Sequence, residues 1–456
     1  MTVVVGCGAG FSGDRTDAAG PLVEALLRYD APRALMFETL GERTLAAAQL
    51  ARLRNPEGGD EPLLEAFLAP VLADCLRHGV TVLGNFGAAN PLAAQLRVAE
   101  MARKAGMADA RIAVVQGDDV RDRMDSLDWQ PWEGERRELP SRDEVVAANV
   151  YLGAEALVEA LNQAAQVVIT GRVADPALAL APLRYHHGWA EDDWDRLAAG
   201  TLAGHLIECG AQVTGGYFAD PGLKDVPGMA RLGYPIVEVE RDGSLVVTKP
   251  PGTGGVVSER TVKEQLLYEI HDPGAYVTPD VVLDLTQVEV RQIGRDRVAV
   301  TGVRGKPAPE RLKTTLSFLD GYQGEAEISY AGPNALARAK LARETLRERL
   351  AMRCPKNLRS RFDLIGVSSV FDGDDNTWAS PSHQASEDLR LRLAVEHNDR
   401  AVVELATQEL LALYCCGPAG GGGVRRHHTP RLKTASFLVP RHQVTPIVKL
   451  YQGENG

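Results

Sequence analysis

In the first half of the chain, apolar residues gather in short unbroken runs: VVVG at Val3 to Gly6, RALMFE ending at Glu38, VTVLGN ending at Asn85, RIAVVQGDD ending at Asp119 and AQVVITGR ending at Arg172. Runs this short, rich in Val, Ile and Leu and without polar alternation, have the form of strands buried on both faces. Between them the apolar positions take helical spacing, over Asp17 to Tyr29, Thr44 to Arg54, Pro62 to His78, Pro91 to Gly106 and Arg142 to Ala164. Such alternation requires right-handed crossovers. It predicts an α/β fold with a doubly wound, mostly parallel sheet, a barrel being the alternative. Either architecture collects ligands at the carboxyl ends of its strands, where loops and helix N-termini converge.

After about residue 230 the pattern changes. YPIVEVERDGSLVVT, DVVLDLTQVEVRQIGRDRVAVTGVRG and TTLSFLDGYQGEAEISYAG alternate with the period of antiparallel strands that keep one polar face. Helices are predicted from Ala335 to Met352 and from Asp399 to Tyr414. The expected organisation is an α/β domain over 1–235 and a mixed α+β domain over 236–456, without fixed repeats or long linkers.

Composition narrows the partners. The chain has 456 residues and 45% apolar content, enough for a sizeable core. Its net charge of −11 and pI of 5.5 argue against a broad nucleic-acid or anionic-membrane footprint. Six cysteines without CxxC or zinc-like spacing point to reduced thiols. The start lacks a signal-peptide pattern, and no stretch nears the roughly 20 apolar residues of a membrane helix, so a cytoplasmic protein is expected. Chains of this size commonly form homo-oligomers.

Four predicted strand ends are polar. Glu38, Asn85, Asp118 and Arg172 close their runs, with Asn90 and Asp175 just beyond. A single polar loop can be only a helix cap, and Asn90 before Pro91 and Asp175 before Pro176 have that form. Four in register suggest a shared crevice. Arg172 is the candidate to hold a substrate carboxylate in two-point contact. Asn85 is the second polarising group, and Glu38 and Asp14 are the candidate general acid/base groups.

The opening GCGAGFSGDR matches GxGxxG at Gly8, Gly10 and Gly13, and Glu38 lies near where a ribose-binding acid would. Gly8, Gly10 and Arg15 are therefore candidate ligand contacts, although Asp14 would repel a pyrophosphate; a packing turn is the plainer explanation. His205, Glu208 and Cys209 cluster in HLIECG, where His205 reads as a cap or satisfied buried group and Glu208 opposes a Cys209 thiolate. No compact ligand set supports a metal. TKPPGTGG offers Gly252, Gly254 and Gly255 before a helix capped by Ser258 and Thr261, as donors to an anion or as a plain cap. Gly421, Gly422, Gly423 and Arg425 in CCGPAGGGGVR suggest an anion nest or lid, a linker being the alternative.

Taken together, GCGAGFSGDR, FETLGERT, GNFGAANPLAA, TGRVADPAL, ECGAQVTGGYFADPG, TKPPGTGG, VKEQLLYEIHDP, ISYAGPNALARA and CGPAGGGGVR resemble the acyclic terpene utilisation (AtuA-like) family over nearly the whole chain. The resemblance implies a place in the breakdown of citronellol- and geraniol-type compounds, whose intermediates are branched CoA thioesters. It brings no set of catalytic residues. The expected function is lyase or hydratase chemistry on a branched 3-hydroxy or unsaturated carboxylic acid, or its CoA thioester as substrate carrier, with no further cofactor firmly implied. The alternatives are an NAD(P)-dependent oxidoreductase and a non-catalytic accessory subunit that binds an acyl ligand.

Overall fold

A computed structural model of the chain describes residues 1–132, 138–370 and 387–452. The described chain divides into two compact units, one of residues 1–317 and 434–456, the other of residues 318–433.

The first unit is built on a ten-stranded mixed sheet. Its parallel centre runs in the order Thr2–Cys7, Arg33–Phe37, Val80–Gly84, Val167–Thr170, Ile112–Gln116. These are the five apolar runs of the sequence. On one side the sheet continues antiparallel through Ile236–Glu240, Leu245–Thr248, Arg297–Thr301 and Glu289–Gly294; on the other, Ile447–Tyr451 closes the edge antiparallel to Ile112–Gln116. The boundary expected near residue 235 therefore falls inside a sheet. Ile236–Glu240 hydrogen-bonds directly to Thr2–Cys7, and the true division comes at 317/318 and 433/434, within the strands Arg311–Ala331 and Gly422–Pro440. A change from parallel to antiparallel pattern marks a change of strand direction, and one core can span it.

Alternation places side chains on both faces. Val4, Leu35, Phe37, Val82 and Ile169 form one core with Leu22, Leu76 and Val98 of helices Ala19–Leu26, Leu72–His78 and Pro91–Lys104. Val3, Val5, Ala34 and Met36, also buried, face the other way. There helix Ala177–His187 packs along the first three strands, and Glu155–Asn162 packs along Val167–Thr170 and Ile112–Gln116. Ala19–Leu26 has eight residues, too few for a stable isolated helix. Burial of Leu22, Val23 and Leu26, at about 1.5–3 kcal/mol each, holds it instead.

Two local expectations change. The helical spacing over Arg142 to Ala164 resolves into a strand, Val145–Val150, and a shorter helix, Glu155–Asn162. The stretch Pro62 to His78 breaks into Leu64–Leu68 and Leu72–His78 around Pro70, which lacks the N–H that a continuous helix needs.

The second unit is α+β. Arg359–Ile365 and the 322–331 half of Arg311–Ala331 flank Asp388–His397 antiparallel, and helices Ala335–Arg353 and Arg400–Cys416 bury Leu346, Leu350, Val403 and Leu410 over Ile328, Leu391 and Leu393. Among the described residues no helix is long and apolar enough to cross a membrane.

Candidate functional site

The parallel register explains why the polar strand ends meet. Phe37 pairs with Gly84, so the residues that follow, Glu38 and Asn85, emerge side by side. Asn85 is fully buried, and its amide donates to Glu38 Oε1 (2.8 Å) while its carbonyl accepts from the Thr39 N–H (2.7 Å). The Leu40 N–H also donates to Glu38 Oε1 (2.9 Å). One strand along, Val115 pairs with Thr170 and brings Asp118 to Arg172, whose backbone N–H donates to Asp118 Oδ2 (2.8 Å); Asn149 donates to the same oxygen (2.8 Å). A Cβ on Gly171 would sit 2.6 Å from both Asp118 oxygens, so only glycine admits the carboxylate there.

Arg172, 2% exposed, is the hub. Nη1 lies 2.9 Å from Asp175 Oδ1 and 4.0 Å from Glu38 Oε1, and it donates to the Leu40 carbonyl. The guanidinium stacks 4.0 Å above the Tyr151 ring, with Lys313 Nζ 4.6 Å from the same ring. The Tyr151 hydroxyl donates to Glu42, which Lys313 approaches at 3.3 Å. Burial works against ionisation of Glu42, but Arg172 and Lys313 outweigh it and hold the group down at about 2. Glu38 goes the other way: burial first, then the charge of Asp175, pushes it up to about 8 against the pull of Arg172. Burial also raises Asp118 to about 6.

The predicted crevice residues Glu38, Asn85, Asp118 and Arg172 thus form one buried network, with the half-buried Asp175 at its margin. The other candidates have different surroundings. Asp14 binds the loop it sits in: Oδ2 accepts from the Gly10 N–H (2.8 Å), and Oδ1 accepts from the Arg15 N–H (2.8 Å) and from the Tyr234 hydroxyl. Both oxygens are committed, which suits a structural post better than a base. Gly8 donates its N–H to Met36 O (2.8 Å), and its Cβ would meet the Phe37 ring at 2.6 Å; a Cβ on Gly10 would lie 2.3 Å from the Cys209 carbonyl carbon. Close packing accounts for these glycines, and the N–H groups of Gly8 and Gly10 are not offered to a pyrophosphate. Arg15 pairs with Asp17 at 2.9 Å. Asn90 is a helix cap, accepting from the Ala93 N–H (3.4 Å).

The later glycine loops differ as well. Gly254 and Gly255 donate their N–H groups to Arg231 O and Pro227 O (both 2.7 Å), and a Cβ on Gly254 would lie 2.1 Å from Gly228 O, so these donors hold the fold together and are not offered to an anion. Gly252 takes φ +81° in open space. Gly421, Gly422, Gly423 and the exposed Arg425 belong to the second unit, where Gly421 precedes the strand Gly422–Pro440 and the other three form its start.

Reading the sequence missed Tyr151, Asn149 and Lys313. The first two sit in or just after Val145–Val150, whose three valines in six residues were a strand signal masked by the helical spacing around them. Lys313 reaches Glu42 from 271 positions away, a pairing with no local signal.

A family model described as acyclic terpene utilisation family protein AtuA matches residues 3–450. The chain belongs to that family. No curated protein gives a match. Of the nine motifs that carry the AtuA resemblance, FETLGERT, GNFGAANPLAA and TGRVADPAL supply Glu38, Asn85, Arg172 and Asp175, while GCGAGFSGDR and ECGAQVTGGYFADPG pack on one another where Gly10 meets Cys209.

Proposed function

We propose that the protein is an enzyme of acyclic terpenoid acid breakdown, acting as a lyase or hydratase on a branched 3-hydroxy or unsaturated carboxylic acid or its CoA thioester. The AtuA family supplies the metabolic setting. The observation that carries the chemistry is Glu38, a buried carboxyl held by Asn85 beside Arg172 and raised to about 8. At neutral pH such a group holds its proton, and it can transfer that proton in either direction. In the dehydrating direction Glu38 protonates the leaving hydroxyl; in the hydrating direction its carboxylate takes a proton from water.

Arg172 is suited to polarise the acyl oxygen, because its buried Nε has no hydrogen-bond partner among the described residues. A charge-assisted donor aimed at a developing enolate is stronger in the transition state than in the ground state. The test is Glu38→Gln, which keeps the shape and the Asn85 contact. Turnover of branched 3-hydroxyacyl thioesters should fall by about 100-fold or more, while ligand-induced thermal stabilisation persists. Binding without turnover in the parent protein would favour an accessory acyl-binding role. Turnover unchanged in the variant would remove Glu38 from the chemistry.

A further inference from the structure

Helix Trp194–Glu208 ends beside the same loops in a buried pair that the reaction above does not use. His205 Nε2 lies 3.0 Å from the Gln265 carbonyl oxygen and Nδ1 lies 3.0 Å from Glu208 Oε1. A carbonyl can only accept, so Nε2 carries a hydrogen, and the one variable proton lies between Nδ1 and Oε1. The Tyr276 ring meets the imidazole edge-on at 5.3 Å and fixes its orientation. Glu208 Oε2 is buried without a hydrogen-bond partner. A purely structural ion pair would satisfy both oxygens, since an unmet buried acceptor costs about 1–3 kcal/mol.

The main chains at Glu208 and Glu38 meet at the first glycine loop. Cys7 Sγ reaches both Ala9 O (3.1 Å) and Glu208 O (3.9 Å), and Ala9 O accepts the Glu38 N–H (3.0 Å). Glu38 and Glu208 therefore flank one loop from two different elements. Burial, reinforced by the charges of Asp175 and Glu269 and opposed by His205, raises Glu208 to about 7, with Cys209 and Tyr276 also facing it.

We propose that Glu208 is the second proton-transfer group of this site, the base that takes the C2 proton of a branched 3-hydroxyacyl substrate, and that His205 is its positioning residue. The inference rests on the reaction proposed above. As Glu208 Oε2 takes the C2 proton, the C–H electron pair forms the C2=C3 bond, the C3–O bond breaks, and the hydroxyl leaves as water with the proton of Glu38. One proton has then moved from Glu38 to Glu208, and exchange with solvent restores both.

The experiment uses the full chain with 3-hydroxy-3-methylbutyryl-CoA in D2O, following C2 deuterium incorporation and water loss separately. Glu208→Gln should lose C2 exchange by about 100-fold or more while keeping thermal stabilisation by the thioester, and Glu208→Asp should recover part of it. His205→Gln should displace the pH profile of exchange. Independently of turnover, 15N NMR of histidine-labelled parent protein should show His205 protonated at Nε2, with Nδ1 titrating together with Glu208. Wild-type exchange that survives Glu208→Gln, or a His205 protonated at Nδ1 alone, overturns this assignment and leaves the proposed reaction intact. Neither exchange nor water loss in the wild type overturns the reaction, and the assignment with it.

Discussion

Charge counting explains why one carboxyl keeps its proton at the strand ends. Arg172 and Lys313 supply two positive charges, against the carboxyls of Glu38, Glu42 and Asp175. Glu38 is the most buried of the three carboxyls and lies farthest from a cation, so it is the one that gives up its charge. With its pKa raised from an ordinary 4.5 to about 8, Glu38 binds a proton more tightly folded than unfolded over that window, so its contribution to stability declines as pH rises through it. Melting curves of the parent and Glu38→Gln should therefore diverge from pH 5 to pH 8, the variant gaining. Parallel curves over that range would mean that Glu38 is already ionised in the folded protein. Removing the cation is the harsher change. Arg172→Met leaves Asp175 without its ion-pair partner and the Leu40 carbonyl without its donor, and should destabilise the protein by about 1–3 kcal/mol, measurable by urea unfolding.

At the scale of elements, the close fits make sharper demands than the glycine count suggests. Gly10→Ala pushes a methyl into the Cys209 backbone, an overpacking of about 1–3 kcal/mol, and should loosen the loop between Glu38 and Glu208. Ser258 caps helix Glu259–Leu267 in a reciprocal pair with Thr261, and Ser258→Ala should lower stability by about 1 kcal/mol through the helix whose Gln265 carbonyl orients His205. Thermal melts of the two variants separate these effects. The elements that could be read from the sequence were those with local signals: the five apolar runs, the Asn90 and Ser258 caps, and the helices now placed at Ala335–Arg353 and Arg400–Cys416. The site was half legible for the same reason. Glu38, Asn85, Asp118 and Arg172 each end a recognisable strand, and His205 with Glu208 already stood out three residues apart, whereas Lys313 and the Gln265 carbonyl that orients His205 depend on contacts that only the fold creates.

At the scale of the molecule, both sides of the parallel centre are completed by distant segments. A fragment ending at residue 235 would leave Thr2–Cys7 without Ile236–Glu240 and Ile112–Gln116 without Ile447–Tyr451. Two bare apolar edges invite pairing between chains, so the fragment should aggregate on size-exclusion chromatography while the full chain stays dispersed. The same closure sets a timetable for the growing polypeptide. Ile112–Gln116 meets its edge partner only after roughly 330 further residues have been made, which at ribosomal speeds of about 5–20 residues per second is a delay of roughly 15–65 s. The strand end that presents Asp118 to Arg172 must therefore wait, with one flank open, until synthesis is almost finished.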